Sequence, residues 1–189
     1  AEVNAGAAGA TKENYTITDW YQYSWQIPVP SWPFTFSTNA TLYPIWSPNQ
    51  YTITYILDEG ENSSANPTSY TYESGVSSFE PATKTGYTFK GWFDDATGGN
   101  KIESISDTET GNKTLYAQWT PIKYDVKLDF NGGNDAEGKD NKTMNLDYDS
   151  QLTQQQIDDL KITKDGFKLT GWKTVDETTV TIPYTVKEN

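Results

Sequence analysis

One short phrase occurs three times in this chain, and such a repeat constrains the architecture more than any other feature of the sequence. Each copy has six residues, begins with an aromatic residue and ends with tryptophan. A threonine and a lysine precede every copy at the same distance, so the similarity extends over ten residues. The copies are Tyr15–Trp20, Tyr87–Trp92 and Phe167–Trp172. The chain is therefore built from repeated units.

A second shared phrase sets the length of the unit. It reads Thr-Leu-Tyr-x-x-Trp, and its copies at 41–46 and 114–119 begin 73 positions apart, while the first two tryptophan phrases begin 72 positions apart. These periods predict three regions. They are residues 1–48, a linker followed by the C-terminal half of a unit; residues 49–121, a complete unit; and residues 122–189, a divergent unit.

The first region holds only half a unit, and half a unit cannot bury its own apolar face. We expect it either to pack on the middle unit or to belong to a domain whose other half lies elsewhere. Asn14 stands where the other units have Gly86 and Gly166. Asparagine is the non-glycine residue that best tolerates a left-handed backbone. The substitution therefore supports a structural equivalence between the three positions.

Apolar and polar residues alternate along several segments, as they do in half-buried strands. The alternation is clearest at 51–57, where aromatic and aliphatic residues alternate with threonine. The predicted strands of the complete unit are 51–57, 68–73, 87–93 and 113–119. Those of the third unit are 124–130, 143–148 and 167–173, with 179–186 taking the place of the closing strand.

Residues 153–161 are predicted to form a short helix in the third unit. Thr153 is a suitable N-cap, and Ile157 and Leu160 lie three positions apart on one helix face. Strand hairpins around a short helix or crossover connection are typical of a small α+β fold, in which a mixed sheet packs on that element. We therefore expect an α+β, mainly β fold with one short helix or crossover per unit.

The composition argues against several classes of function. The 189 residues include no cysteine and no histidine, which removes disulfides, thiolate nucleophiles, the usual general base and the commonest metal ligand. A net charge of −12 disfavours nucleic acid or an anionic membrane as partner, because both are bound by basic surfaces. No apolar run approaches the roughly 20 residues that span a membrane. We expect no enzymatic activity, no cofactor, no metal ion and no membrane insertion.

Neighbouring acidic residues are poorly placed for catalysis or metal binding. The side chains of Asp94 and Asp95, and of Asp158 and Asp159, diverge whether they lie on a strand or a helix, so neither pair converges as an acid and a base must. A loop of the third unit is rich in oxygen ligands but lacks the spacing of an EF-hand, and we interpret it as a solvated acidic turn. Its residues are Asp129, Asn131, Asn134, Asp135, Glu137, Asp140 and Asn141.

Aromatic residues that recur at fixed places are predicted to form the core. Each large ring buries about 150–250 Å², which suits a unit too small for a large aliphatic core. The predicted core residues are Trp20, Trp46, Tyr87, Trp92, Tyr116, Trp119, Phe167 and Trp172.

The segment 20–36 is rich in aromatic residues and proline and has no counterpart in the complete unit. Trp25 and Trp32 are its candidates for stacking on a sugar ring or docking a protein partner, because tryptophan is frequent among residues that dominate binding energy. The segment also suits a structural role, in which it wraps over the open core of the half unit. The sequence leaves both interpretations open.

The middle unit closely resembles the Listeria-Bacteroides repeat, also called the internalin B-repeat. The turn Asn131-Gly132-Gly133 of the third unit also resembles this family, whereas Asp58-Glu59-Gly60 departs from it, as do the helical insert and the missing closing tryptophan of the third unit. The matching phrases of the middle unit are 51–55, 84–93, 96–101 and 115–119.

This resemblance implies a β-grasp-like fold in tandem modules of secreted or wall-attached bacterial proteins. It implies an extracellular location at the cell surface, a spacer or adhesive role and no enzymatic activity. The implied partners are neighbouring repeats of the same polypeptide and, for adhesion, a host protein, a matrix protein or a glycan. A carbohydrate-binding module that uses segment 20–36 is the alternative.

Overall fold

The structure is a computed structural model that describes residues 2–3, 9–21, 34–35 and 41–187. These residues form mainly β-structure and one short helix, α1, at Gln154–Asp158. The strands are β1 Glu2–Val3, β2 Tyr15–Tyr21, β3 Phe34–Thr35, β4 Tyr43–Pro48, β5 Gln50–Ile56, β6 Ser69–Thr71, β7 Tyr87–Phe93, β8 Lys113–Pro121, β9 Lys123–Asp129, β10 Asn141–Asp147, β11 Gln151–Leu152, β12 Trp172–Lys173, β13 Thr179–Val180 and β14 Tyr184–Thr185.

Two compact units can be distinguished, and their limits do not follow the repeat. Strands β7 and β8 run through both units. The division of the chain at residues 48 and 121 stays a prediction. One unit comprises Ala1–Asp58, Asn62–Pro81 and Gly91–Ala117, and the other comprises Glu59–Glu61, Ala82–Lys90 and Gln118–Asn189.

The complete repeat forms a four-stranded mixed sheet in the order β6-β5-β8-β7. Strands β5 and β6 are antiparallel neighbours, whereas β5 and β8 are parallel. Parallel strands need a long connection between them, and here most of the repeat separates β5 from β8. The structure confirms the predicted mainly β fold with a mixed sheet, and β7 has the predicted limits. The connection from β6 to β7 contains no helix, so this repeat has the crossover of the two predicted alternatives.

The core of the complete repeat is organised around Trp92, which is only 2% exposed. Its ring packs edge-on against Tyr55, with 4.9 Å between the ring centroids. Its indole N–H donates to the carbonyl of Glu80, 3.0 Å away. The buried amide of Asn66 accepts from the Glu80 N–H and donates to the same carbonyl. These three hydrogen bonds to the backbone of Glu80 hold the crossover connection against the core. They also satisfy the polar groups of the Trp92 and Asn66 side chains that are buried there.

The half unit forms an antiparallel pair of strands, β2 and β4, whose register shifts between Ile17 and Asp19. Trp20 is buried in this pair, while Trp46 is half-buried. The left-handed backbone predicted for the residue before each repeated phrase is confirmed. Its φ is 62° at Asn14, 78° at Gly86 and 74° at Gly166.

The third repeat has its own small core beneath the long β9–β10 hairpin. Helix α1 confirms the predicted helix, and Thr153 is its N-cap. The Thr153 hydroxyl accepts from the Gln156 N–H, while the Gln156 side chain accepts from the Thr153 N–H, which together form a capping box. The buried residues of this core are Leu128, Phe130, Leu152 and Ile157.

The end of the third repeat differs from the prediction. Of the predicted strand 167–173, only β12 forms, and it pairs with β13. The predicted strand 179–186 is divided by Pro183 into β13 and β14, and β14 pairs with β11. Neither strand pairs with β9, so the prediction that 179–186 takes the place of the closing strand is wrong.

Phe167 also departs from the prediction, because its side chain is 73% exposed rather than part of the core. Its counterpart Tyr87 lies in β7, which pairs with β8. Residues 167–171 belong to no strand. Tyr87 is half-buried in this strand and packs edge-on against Tyr148, whereas Phe167 has no strand around it.

We expect Trp92→Ala to lower the free energy of unfolding of the complete repeat by about 3–5 kcal/mol, since it removes a large buried ring and leaves a cavity. Urea denaturation followed by circular dichroism measures the change. Val175→Ala is the control, because Val175 is fully exposed and its loss should change the free energy by at most about 0.5 kcal/mol. Equal midpoints for the parent and Trp92→Ala would contradict the assigned core.

Candidate functional site

Two short backbone relays recur where one repeat follows another, and each lies within one compact unit. In the first joint, the Asn49 N–H donates to the carbonyl of Asn14 at 2.9 Å. The Tyr72 N–H then donates to the carbonyl of Asn49 at 3.0 Å. The rings of Tyr15 and Tyr72 meet edge-on, with centroids 5.7 Å apart. The first joint thus ties the half unit to the β6 end of the complete repeat.

The second joint repeats this arrangement between the complete repeat and the third repeat. The Ile122 N–H donates to the carbonyl of Gly86 at 2.9 Å, and the Tyr148 N–H donates to the carbonyl of Ile122 at 2.8 Å. The rings of Tyr87 and Tyr148 meet edge-on with centroids 5.6 Å apart. The same backbone atoms and the same ring pair are used in both joints, so the joint is itself part of the repeat.

The lysine of the repeated approach sequence has a structural role in all three copies. In each copy, the backbone N–H of the aromatic residue closes a turn by donating to the backbone carbonyl of the lysine three residues earlier. The lysine ammonium then lies above the aromatic ring, at 3.3 Å for Lys12 and Tyr15 and 4.5 Å for Lys84 and Tyr87. Such a cation is attracted by the negative face of the ring. The contact explains why the lysine recurs with the aromatic residue.

Acidic residues after the second ring of each joint bind different partners. In the first joint, the Tyr15 hydroxyl donates to the Glu73 carboxylate, and this hydrogen bond raises the pKa of Tyr15 to about 12. In the second joint, the equivalent Asp149 accepts from the Lys187 ammonium, which raises the pKa of Lys187. That ammonium also lies 5.0 Å from the centre of the Tyr148 ring. Both contacts add polar links at the rim of a joint.

Gly86 permits the close approach of backbone and ring in the second joint. Its φ of 78° is left-handed, and a Cβ atom added there would lie 2.2 Å from the ring of Tyr148. Gly166 has a similar φ of 74° with no atom within 4 Å of an added Cβ. Position 86 therefore needs glycine for space as well as for its left-handed backbone, whereas position 166 needs glycine for the backbone conformation alone.

The second candidate functional feature is the parallel pairing of β5 with β8 in the complete repeat. Its register runs from Ile53 opposite Lys113 to Ile56 opposite Tyr116. Because the strands are parallel, the chain enters the repeat at one end of this ladder and leaves it at the other. Tension along the polypeptide therefore acts on all the ladder hydrogen bonds at once, in shear.

Side chains reinforce the beginning of this ladder. The Asn112 side-chain oxygen accepts from the Thr52 N–H at 2.9 Å. The Tyr70 hydroxyl donates to the carbonyl of Gly111 at 2.6 Å, and burial is the main cause of the raised pKa of Tyr70. These bonds tie the segment before β8 to both β5 and β6.

The predicted aromatic residues do not meet in one site. Trp25 and Trp32 lie outside the described residues. Trp20 and Trp92 are buried, and Phe167 is exposed. The others are half-buried, and one of them, Trp119, packs against Phe89 with ring centroids 5.3 Å apart. The half-buried residues are Trp46, Tyr87, Tyr116, Trp119 and Trp172.

The acidic loop of the third repeat is organised by its own backbone. Asp135 is 7% exposed, and its carboxylate accepts from the N–H groups of Glu137 and Lys139 at 3.0 and 2.8 Å. In the complete repeat, the Asp94 carboxylate binds the side chain and N–H of Asn100, which lowers its pKa. Among the described residues, no three acidic side chains are arranged to hold a metal ion.

Tyr72 and Tyr148, the rings that complete the two joints, were not among the site residues predicted from the sequence. A signal was present, since each follows the second strand of its hairpin and is itself followed by an acidic residue. That signal spans only two residues, so it is far weaker than the ten-residue phrase that holds their partners.

The sequence model of the Listeria-Bacteroides repeat domain matches residues 51–118 and again residues 124–189. The two matches cover well over half of the chain. The chain belongs to the Listeria-Bacteroides repeat family. No solved structure matches it.

Several proteins carry a similar sequence within much longer chains. A protein of Evansella cellulosilytica named as a membrane protein is 32% identical over 86% of this chain, and a Gly-rich membrane protein of the same organism is 30% identical over 71%. Internalin H of Listeria monocytogenes is 36% identical over 58%. The matches cover 24%, 16% and 20% of these relatives, so the chain spans a quarter of their length or less. The described part of this chain contains no helix long and apolar enough to cross a membrane.

We expect Gly86→Ala to destabilise the second joint more than Gly166→Ala destabilises the third repeat. Both changes place a side chain on a left-handed backbone, at a cost of roughly 1–2 kcal/mol. Only Gly86→Ala also forces the Tyr148 ring away, which adds about 1–3 kcal/mol. Thermal and urea unfolding of the two variants measure the difference. Equal destabilisation would mean that the Tyr148 ring does not pack tightly on Gly86.

Proposed function

We propose that this chain is a non-enzymatic, extracellular repeat module of a bacterial surface protein, and that it serves as a spacer under tension. The observation that carries this proposal is the parallel pairing of β5 with β8. We further propose that each complete repeat is β-grasp-like, with its first and last strands paired in parallel at the centre of the sheet. The membership of the Listeria-Bacteroides repeat family supports both statements.

The parallel pair suits a spacer because of how it meets force. Strands that are pulled apart perpendicular to their axes lose hydrogen bonds one after another. Strands that slide past each other along their axes must lose several at the same moment. The chain direction in β5 and β8 selects the second route. The hydrogen bond from Thr52 to Asn112 adds another link that breaks in the same step.

The joints suit the same role because they carry contacts from one repeat to the next. Each joint combines two backbone hydrogen bonds with an edge-on ring pair, and such ring pairs are favourable beyond the area they bury. A linker tied down in this way loses conformational freedom. Tandem repeats with such joints are suited to holding a distal domain away from the cell.

The names of the relatives support a location at the cell surface. Two are named as membrane proteins and one as an internalin. The first partners of a surface spacer are the neighbouring repeats of the same polypeptide. An adhesive role would add a host protein, a matrix protein or a glycan to them.

Single-molecule pulling between engineered cysteines tests the spacer proposal, and the absence of native cysteine makes each handle unique. Gln50→Cys with Thr120→Cys loads β5 and β8 in shear, because these exposed residues lie at opposite ends of the pair. Gln50→Cys with Thr110→Cys is the matched control, since both handles then lie at the same end and the strands peel apart. We expect the unfolding force to be several-fold higher in the shear geometry. Equal forces in the two geometries would contradict the proposal.

A carbohydrate-binding role for segment 20–36 is the second candidate. The rings of Tyr21 and Tyr43 stack at the end of the β2–β4 pair, with centroids 5.8 Å apart, and Tyr43 is 41% exposed. Tyr21 belongs to segment 20–36, so this stacked pair gives the described part of the segment an aromatic surface in which Tyr43 is exposed.

A glycan array and a panel of host-matrix proteins test this second candidate with the whole chain. If it is correct, binding appears for the parent chain and is lost in the double variant Trp25→Ala, Trp32→Ala. The double variant Trp46→Phe, Trp119→Phe is the control for general loss of tryptophan. No binding by the folded parent across the array and the panel would reject an adhesive or glycan-binding role and leave the spacer role in place.

A further inference from the structure

The two joints contain the same pair of rings in different electrostatic surroundings. In the first joint, the Tyr15 hydroxyl donates to the Glu73 carboxylate. In the second joint, the equivalent carboxylate, that of Asp149, accepts from the Lys187 ammonium instead. The first joint therefore brings together a phenol, a carboxylate that accepts from it and a second phenol, that of Tyr72.

The Tyr15 hydroxyl is placed to lose its proton when its ring loses an electron. A phenol becomes a strong acid on one-electron oxidation, and a carboxylate that already accepts its hydrogen bond receives the proton without rearrangement. The Lys12 ammonium lies 3.3 Å from the centre of the ring and opposes a positive charge on it. Loss of the electron is therefore tied to loss of the proton, and Glu73 is placed to accept that proton.

Two other tyrosine hydroxyls of the complete repeat donate to weaker bases. The Tyr55 hydroxyl donates to the carbonyl of Pro67 at 2.8 Å, and the Tyr70 hydroxyl donates to the carbonyl of Gly111 at 2.6 Å. A backbone carbonyl accepts a hydrogen bond but is a far weaker base than a carboxylate. The phenol of the first joint is therefore easier to oxidise than these two.

The second ring of the first joint is in contact with the first. Tyr72 meets Tyr15 edge-on, with ring centroids 5.7 Å apart and ring planes at 77°. Both rings are half-buried and Glu73 is exposed, so a small oxidant reaches the pair from the solvent. Phenoxyl radicals join through the ring carbons beside the hydroxyl group, and these carbons lie at the ring edge. The chain has no cysteine, so such a bond gives it a covalent link that a disulfide cannot provide.

We propose that Tyr15 and Tyr72 form an oxidative cross-linking site, at which peroxide joins the two rings covalently and closes the first joint. The oxidant is hydrogen peroxide acting through a one-electron carrier such as a haem peroxidase. Each phenol loses one electron and one proton, and the Tyr15 proton goes to Glu73. The two radicals form one carbon–carbon bond, and the hydrogen atoms of the joined carbons move to the oxygens, which restores both phenols. The peroxide takes up the two electrons and two protons and becomes two molecules of water.

The cross-link closes the chain from residue 15 to residue 72 into a loop and ties the half unit to the complete repeat. A link of this kind stabilises mainly by restricting the unfolded chain, as a disulfide does. The inference does not depend on the spacer role, because its test detects a covalent bond and not mechanical strength.

Hydrogen peroxide with a haem peroxidase, applied to the whole chain at high dilution, tests the site. We expect a monomeric product that has lost two hydrogen atoms, has the blue fluorescence of joined phenols and migrates faster in a denaturing gel. Cleavage after glutamate places Tyr15 and Tyr72 in separate peptides, 14–59 and 62–73, which stay together only through the cross-link. Fragmentation in a mass spectrometer identifies the linked residues.

Three variants of the chain test the roles of the individual groups, and circular dichroism checks that each is folded. Tyr72→Phe keeps a ring in place but removes the phenol, so it should abolish the product. Tyr51→Phe is the matched control and should leave the yield unchanged, because the rings of Tyr51 and Tyr70 lie 5.4 Å apart in the same two peptides. Glu73→Gln keeps a hydrogen-bond acceptor that cannot take the proton. We expect it to slow cross-linking at least about tenfold, since a positioned base commonly contributes more than that.

The second joint is an internal control, because the rings of Tyr87 and Tyr148 lie 5.6 Å apart while Asp149 accepts from Lys187. Three results would overturn the proposal. The first is the absence of an intramolecular cross-link under conditions that join free tyrosine. The second is a cross-link that forms as readily between Tyr87 and Tyr148, or between Tyr51 and Tyr70, as in the first joint. The third is an equal rate of cross-linking in the parent and in the folded Glu73→Gln variant.

Discussion

The complete repeat depends on one strand, β8, and on its place between β5 and β7. The strand provides the parallel neighbour of β5, buries Leu115 and Ala117 in the core and holds β7 in the sheet. It is also the last element before the second joint, so the path of the chain between repeats starts from it. The third repeat presents the natural comparison, because it has the same repeated phrase without a counterpart of β8 among the described residues. There the phrase is largely unpaired and its first ring is exposed.

The joints extend this dependence from one repeat to the next. Each begins at the residue before the repeated phrase, whose left-handed backbone turns its carbonyl towards the linker. A two-step relay and an edge-on pair of rings then tie the linker to the next hairpin. The rings differ in their polar partners, with Glu73 in the first joint and the Lys187–Asp149 pair in the second. The backbone geometry is thus shared, while the side chains at the rim vary.

Much of the fold followed from the sequence because the local signals were strong. The period of the repeat located equivalent residues, and Asn14 in place of glycine indicated a left-handed backbone that the structure has. The alternation at 51–57 and 87–93 predicted β5 and β7, and the N-cap Thr153 predicted α1. These features depend on interactions between residues close in the chain or on a pattern written more than once.

The errors arose where a distant partner decides the structure. The phrase 167–172 has the same local pattern as 87–92, yet only the second becomes a full strand, because β8 pairs with it. The alternation at 179–186 resembled one strand, but Pro183 divides it and its halves pair with β11 and β12. Tyr72 and Tyr148 were missed because a joint brings together residues about sixty positions apart. Trp25 and Trp32 lie outside the described residues, so their role stays a prediction.

Native-state hydrogen exchange of residues 87–91 and 167–171 tests most directly the claim that β8 holds its repeat together. The two segments occupy equivalent places in the repeat and differ in whether β8 lies beside them, and protection factors remove the sequence dependence of their intrinsic exchange rates. If β8 holds its repeat together, the amides in 87–91 that face β8 are strongly protected and those throughout 167–171 only weakly, since a paired strand opens only with its sheet. Comparable protection in the two segments would contradict this claim.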